Sequence, residues 1–185
     1  MKTRNRKKIV RVIITILVLL GLMLAPISLI HASDITSETL INLANKERVE
    51  KNLPALFVDS SLNQAAQMKA EDMISKDYFD HYGPDGNSPW DFIMDAGYNY
   101  STAGENLAVY FEDARSINDA WMASPTHRAN ILNKDYKNIA VSVARGSFEG
   151  HQTYMVVEMF GAPKVTVEEL TSGLIIKIRD WLGVK

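Results

Sequence analysis

Three short polar segments hold the side chains that could do chemistry: Asp80-His81-Tyr82, Gly104-Glu105-Asn106 and Ser124-Pro125-Thr126-His127-Arg128. The chain has no cysteine, so any nucleophile, general base or metal ligand must come from His, Asp, Glu or Ser rather than from a thiolate. A Ser-Pro pair inside a helical pattern ends one helix and starts the next. Ser124 can cap with its hydroxyl, and Pro125 at the first helical position has no N–H to leave unpaired. His127 then falls in the first turn of the new helix, where free N–H groups and the helix dipole favour a nearby anion or carboxylate. The segments lie 24 and 22 residues apart, too far for local contact, so only a fold can bring them together.

The elements that must do so are helical first and extended later. Ser37 can cap a helix running to about Lys51, with Leu40, Ile41, Leu43 and Ala44 as its apolar stripe. Asp59 or Ser60 caps a second, whose Leu62, Ala65, Ala66, Ala70 and Met73 make a small-residue face for close packing. Residues 77–87 break the pattern, with Gly83-Pro84-Asp85-Gly86-Asn87 as a dense turn signal that leaves His81 on an exposed loop edge. Ser88-Pro89 opens a short helix reaching Gly97, an irregular stretch carries Gly104-Glu105-Asn106, and residues 113–123 form a helix with Ala114, Ile117, Ala120 and Trp121 on one stripe.

After Asn133 the period changes to two. Ile139, Val141 and Val143 alternate with smaller residues, residues 146–150 read as a turn holding a solvated His151 beside it, and residues 153–160 return as a second strand. Within that strand Glu158 must be buried and paired with a positive or N–H partner. Helices followed by an antiparallel hairpin imply an α+β fold. Residues 166–182 read as a last amphipathic helix, with Thr166 and Glu169 spaced as a capping box and Val167, Leu170, Leu174, Ile178 and Trp181 on a side that docks on the domain.

Length and charge bound the rest. The 185 residues suffice for one domain with its own core. Residues 1–11 carry six basic side chains and no acid, so removing that +6 from the net −2 leaves −8 on the body, which repels phosphate backbones and argues against nucleic acid. The nineteen uncharged residues Val12 to Ile30 follow, and together with the basic run they read as an export signal, either cleaved or kept as a membrane anchor. The organisation is therefore residues 1–32 as signal peptide or anchor, 33–163 as the domain and 164–185 as the C-terminal helix. An exported domain without disulfides suits a Gram-positive type of envelope.

Several linked motifs resemble one known family. Gly104-Glu105-Asn106-Leu107-Ala108, then Trp121 followed by Ser124-Pro125, His127-Arg128 and Asn130-Ile131-Leu132, is similar to the CAP superfamily of cysteine-rich secretory proteins, antigen 5 and pathogenesis-related 1 proteins, and to its bacterial secreted branch in particular. Asn45, Arg48, Leu53-Pro54, Leu56, Asp59, Leu62 and Ala66 match its first two helices, and Phe79, His81, Glu158 and Phe160-Gly161 its other landmarks, so the likeness covers residues 36–162.

The resemblance implies a three-layer α-β-α sandwich with a central antiparallel sheet and a groove lined by two histidines and acidic residues. It assigns those roles to His81, His127 and Glu105, as catalytic groups or as ligands of a divalent metal such as Zn²⁺. Tyr82, Asn106, Ser124 and Arg128 would lie along the groove as ligand contacts. The second acid of many eukaryotic members falls near Ser124 here, so a mechanism needing two carboxylates lacks one of them. Two neutral imidazoles and a carboxylate with one open position could make a bound water nucleophilic, whereas without metal the trio is a hydrogen-bonded cluster that fixes the groove wall. A Ser124-His127-Glu105 triad lacks a nucleophile elbow. The expectation is an extracellular module binding an envelope or small-molecule ligand, with a metal-dependent peptide or ester hydrolase and a lipid or sterol binder as alternatives.

Overall fold

In the computed structural model, which describes residues 35–165 together with Thr171, Ile175, Lys177, Arg179 and Trp181, the helices begin where side-chain caps are available. Helix α1 (Ser37–Glu50) is capped by Thr36, whose side chain accepts from the N–H of Thr39, so the cap sits one residue before Ser37. Asp59 caps α2 (Ser60–Ser75) through the Leu62 N–H. Helix α3 (Pro89–Asp95) opens with a reciprocal Ser88–Asp91 capping box and Pro89 in its first turn. Asp113 caps α4 (Ala114–Ala123), and α5 (Pro125–Ile131) follows directly. On α4 the buried face is Ala114, Ile117, Asn118 and Trp121; Ala120, expected inside, is exposed and Asn118 takes that side.

Four strands make one sheet in the order β1-β3-β4-β2, where β1 is Phe57–Val58, β2 Tyr100–Val109, β3 Asn138–Phe148 and β4 His151–Pro163. The three long strands are antiparallel as expected, but β1 runs parallel to β3, which makes the sheet mixed. Strand β2 occupies what reads in sequence as an irregular stretch, because its residues Thr102 to Asn106 are small or polar and carry no alternating apolar signal. The β3–β4 turn is shorter than the sequence suggests: only Glu149 and Gly150 lie outside the strands, both at positive φ (51° and 79°), the backbone a two-residue hairpin requires. His151 is the first residue of β4 and exposed.

Helices cover both faces, so the architecture is the α-β-α sandwich. Successive strand residues point to opposite faces. Ile139, Val141, Val156 and Phe160 pack with Leu40, Ala44, Ile117, Trp121 and Ile131 of α1, α4 and α5. Ala140, Met155, Val157 and Met159 pack with Leu62, Ala66, Met73, Phe92 and Ile93 of α2 and α3. Double coverage explains why residues 155–160 are buried without interruption.

The outer edge of β2 is closed by side chains rather than by another strand. The carbonyls of Ala103, Glu105 and Leu107 accept from Tyr136 Oη, Asn130 Nδ2 and Trp121 Nε1, each at 3.0 Å. An open edge would expose these acceptors to other chains, and here it is instead tied to α4, α5 and the residues after α5.

The basic and apolar N-terminal run and the Thr166–Glu169 capping box lie outside the described residues. Among those described, no helix is long and apolar enough to cross a membrane. Ile175 (59% exposed) and Trp181 (84%) are helical, yet both stand in solvent, so Trp181 does not dock on the domain as its stripe position suggests.

Candidate functional site

Alternation along β2 aims neighbouring residues at the two halves of the site. Glu105 turns toward α2 and the His81 loop, and its Oε1 lies 2.6 Å from His81 Nδ1. The carboxylate side chain is 1% exposed and the imidazole 49%. The carboxylate at this distance raises the His81 pKa above its ordinary value, while burial raises that of Glu105, an effect the imidazole partly offsets. Among the described residues, Glu105 Oε2 is buried without a hydrogen-bond partner.

Lys69 holds the loop from beneath. It is fully buried on α2, and its Nζ donates to Tyr78 Oη at 3.0 Å and to the carbonyls of Asp80 and His81, each at 2.8 Å. All three ammonium protons are thereby used, and the charge lies over the Tyr78 ring, 4.7 Å from its centre. Burial lowers the lysine's pKa, against the attraction of Glu105, Asp72 and Asp80. Sequence reading missed Lys69. The signal was its place in the stripe Leu62-Ala66-Lys69-Met73, where a cation on an apolar face must have partners.

Asn106 turns the other way and is fully buried. Its Nδ2 donates to Glu158 Oε2 at 2.9 Å and to the His127 carbonyl at 3.2 Å, and its Oδ1 accepts from Asn130 at 2.9 Å. Asn106 and Glu158 are cross-strand neighbours on β2 and β4, so the buried acid finds its N–H partner there. Burial pushes the Glu158 pKa up to about 8, and among the described residues its Oε1 has no hydrogen-bond partner. Arg48 secures the far end of α5, donating to the carbonyls of Ile131 at 2.8 Å and Asn133 at 2.7 Å. Each histidine-bearing segment is thus held through main-chain carbonyls by one buried cation.

Gly104 makes this junction possible. A Cβ there would come within 2.8 Å of Asn130 Oδ1 and still closer to the Tyr136 hydroxyl.

A cavity of about 410 Å³ opens beside Glu105, with His81, Tyr82, Trp90 and the main chain of Ala103 and Gly104 among its walls. Tyr82 is 60% exposed, whereas Tyr98 is core, packed over Gly161. His127 is half-buried; burial and the positive charge of His81 lower its pKa. Other expected contacts stand elsewhere. Asn106 is buried behind the site, Arg128 donates to the Met122 carbonyl at 2.9 Å and braces the α4–α5 junction, and Ser124 makes no cap bond, its Oγ lying 3.2 Å from Thr126 Oγ1. Among the described residues no three His, Asp or Glu are placed to hold a metal ion. One Glu105 oxygen is taken by His81 and the other is buried, so Glu105 is not presented as a direct metal ligand in this arrangement.

The profile of the cysteine-rich secretory protein family, CAP, matches residues 41–160. The uncharacterised protein YkwD of Bacillus subtilis is 40% identical over 102 residues, which are 55% of this chain and 40% of YkwD. An extracellular protein of Bacillus anthracis containing an SCP domain superposes with a TM-score of 0.58 at 25% identity, over 68% of this chain and 39% of that one. An outer surface protein of Borrelia burgdorferi shares the fold with a TM-score of 0.60 at 24% identity, over 69% of this chain and 92% of that one. This chain therefore spans about 40% of the length of these two Bacillus proteins.

Proposed function

Because the chain belongs to the cysteine-rich secretory protein (CAP) family, we propose that it is an extracellular domain of a bacterial envelope that binds a ligand in the cleft beside His81 and Glu105. The basic and then apolar N-terminus and the extracellular or surface character of the matched structures support the location. The observation that carries the binding reading is the 2.6 Å contact between His81 and Glu105 at the wall of the 410 Å³ cavity. Nδ1–H is committed to the carboxylate, so the ring is fixed, and among the described residues Nε2 has no hydrogen-bond partner and can meet a ligand. Tyr82 and Trp90 add apolar wall, and a cleft of this size suits a small molecule. An anionic or acceptor group at His81 with an apolar body against the rings is the matching chemistry.

Turnover has less support. The Glu105 carboxylate is occupied and shielded, and the Ser124 hydroxyl bonds to Thr126 rather than to a base. A metal ion here would be met by His81 Nε2, with Glu105 behind the ring as the partner of Nδ1 rather than as a ligand.

The test is an NMR titration of the full chain in detergent micelles with aromatic and fatty carboxylates, following the His81 ring signal, and a parallel titration with zinc. Carboxylates that move this signal and fail to bind His81→Ala support the cleft. Binding unchanged in His81→Ala counts against it, and zinc binding at one ion per chain would revive the metal reading.

A further inference from the structure

A second cleft lies at the other end of β2, on the sheet face that carries α1, α4 and α5. Arg145 and Tyr154 stand opposite each other in the β3–β4 register, and Gln152 lies two residues before Tyr154. Alternation puts Tyr154 and Gln152 on the same face as Val156 and Phe160, and Arg145 on the face of Val141 and Val143. The helices cover that face only as far as Val143 and Val156. Beyond them Arg145 and Gln152 are exposed and Tyr154 is 37% exposed. Tyr110, Phe111 and Glu112 rise beside this floor and enclose a cavity of about 430 Å³.

The wall is built in at a cost. Tyr110 has a φ of 65°, a left-handed backbone that a bulky residue seldom adopts. Its N–H donates to Thr153 Oγ1 at 3.1 Å, while its ring turns to the opposite face, packing on Phe148 at 5.7 Å with its hydroxyl within reach of the Phe148 carbonyl and Glu149, so this anchored backbone fixes where Phe111 and Glu112 stand at the cleft. Strain of this kind persists where the surroundings over-determine it, and often marks a binding surface.

We propose that this cleft is a binding site for a neutral saccharide. The phenol of Tyr154 offers a flat apolar face for the C–H side of a sugar ring. Arg145, Gln152 and Glu112 supply a planar guanidinium, an amide and a carboxylate, which together donate to and accept from adjacent hydroxyls. One cation and one carboxylate balance in charge, which selects for a polyhydroxyl ligand over an anion. Among the described residues Arg145 forms no ion pair, so its guanidinium is available.

Isothermal titration calorimetry and amide-shift mapping of the ¹⁵N-labelled full chain in detergent micelles, with N-acetylglucosamine tetrasaccharide and with maltotetraose, test the site. At least one saccharide should bind, move the signals of Tyr110, Arg145 and Tyr154, and bind Tyr154→Ala and Gln152→Ala about tenfold more weakly or worse. If Tyr154→Ala does not fold, Arg145→Gln and Gln152→Ala, both at exposed positions, decide. No binding of either sugar at millimolar concentration, shifts centred on His81 and Trp90, or unchanged affinity in the variants would overturn the proposal.

Discussion

The imidazole of His81 and the carboxylate of Glu105 meet at 2.6 Å although they are 24 residues apart, one on a half-exposed loop and the other inside the sheet. The two histidines titrate in opposite directions. His81 is held above its ordinary pKa of 6.5 by Glu105, and His127 is kept below it by burial and by the charge on His81. In the wild type the His81 ring signal should titrate at higher pH than that of His127. In Glu105→Gln the His81 midpoint should fall toward 6.5, and that of His127 should rise over the range where His81 has lost its charge. An unmoved His81 midpoint in the variant would show that the carboxylate is not its partner in solution. Because its folded pKa is raised, His81 contributes stability that is full below about pH 6.5 and lost as pH rises through the folded value.

Lys69→Met should destabilise the domain and loosen the His81 loop. The side chain is matched in length, but the carbonyls of Asp80 and His81 lose their donor, and a buried unsatisfied acceptor costs about 1–3 kcal/mol. Urea denaturation should register a loss on the order of 2–4 kcal/mol, net of the relief from burying a charge. A variant as stable as the wild type would mean that the carbonyls find other donors.

Gly104→Ala should cost about 1–3 kcal/mol, because the added methyl meets Asn130 Oδ1 and the Tyr136 hydroxyl. Tyr136→Phe removes that hydroxyl, together with its bond to the Ala103 carbonyl. The double variant should therefore lose less than the sum of the two singles, a coupling that thermal unfolding of all four proteins measures. Additive losses would place the strain elsewhere.

Glu158 predicts a second pH dependence. Its folded pKa of about 8 stands above the ordinary 4.5, so between those values the folded chain holds a proton that the unfolded chain has released. Stability should fall as pH rises across that window and level off above it. Glu158→Gln keeps the acceptor for Asn106 and removes the proton, so its stability should change less between about pH 5 and 8.5 than that of the wild type. Equal slopes for the two proteins would contradict the buried neutral acid.

The helices, the hairpin and the family are legible in the order of the residues alone. Caps at Asp59 and Ser88, the stripe from Leu62 to Met73 and the alternation around Val141 are local patterns, readable because a cap needs only a short polar side chain and because a helix repeats every 3.6 residues and a strand every two. His81, Glu105 and His127 are singled out by the family resemblance, not by these periods. What these residues touch follows from contacts between distant segments. Strand β2 has little alternation of its own and becomes a strand by pairing with β4, far along the chain; that pairing sends Glu105 toward His81 and Asn106 toward the His127 main chain. Lys69 is a helix residue like any other until the Asp80 and His81 carbonyls arrive over it. Asn106 and Arg128, polar residues beside the motif, turn out to brace the site from within because amide and guanidinium groups satisfy main-chain carbonyls that no helix or strand partner reaches.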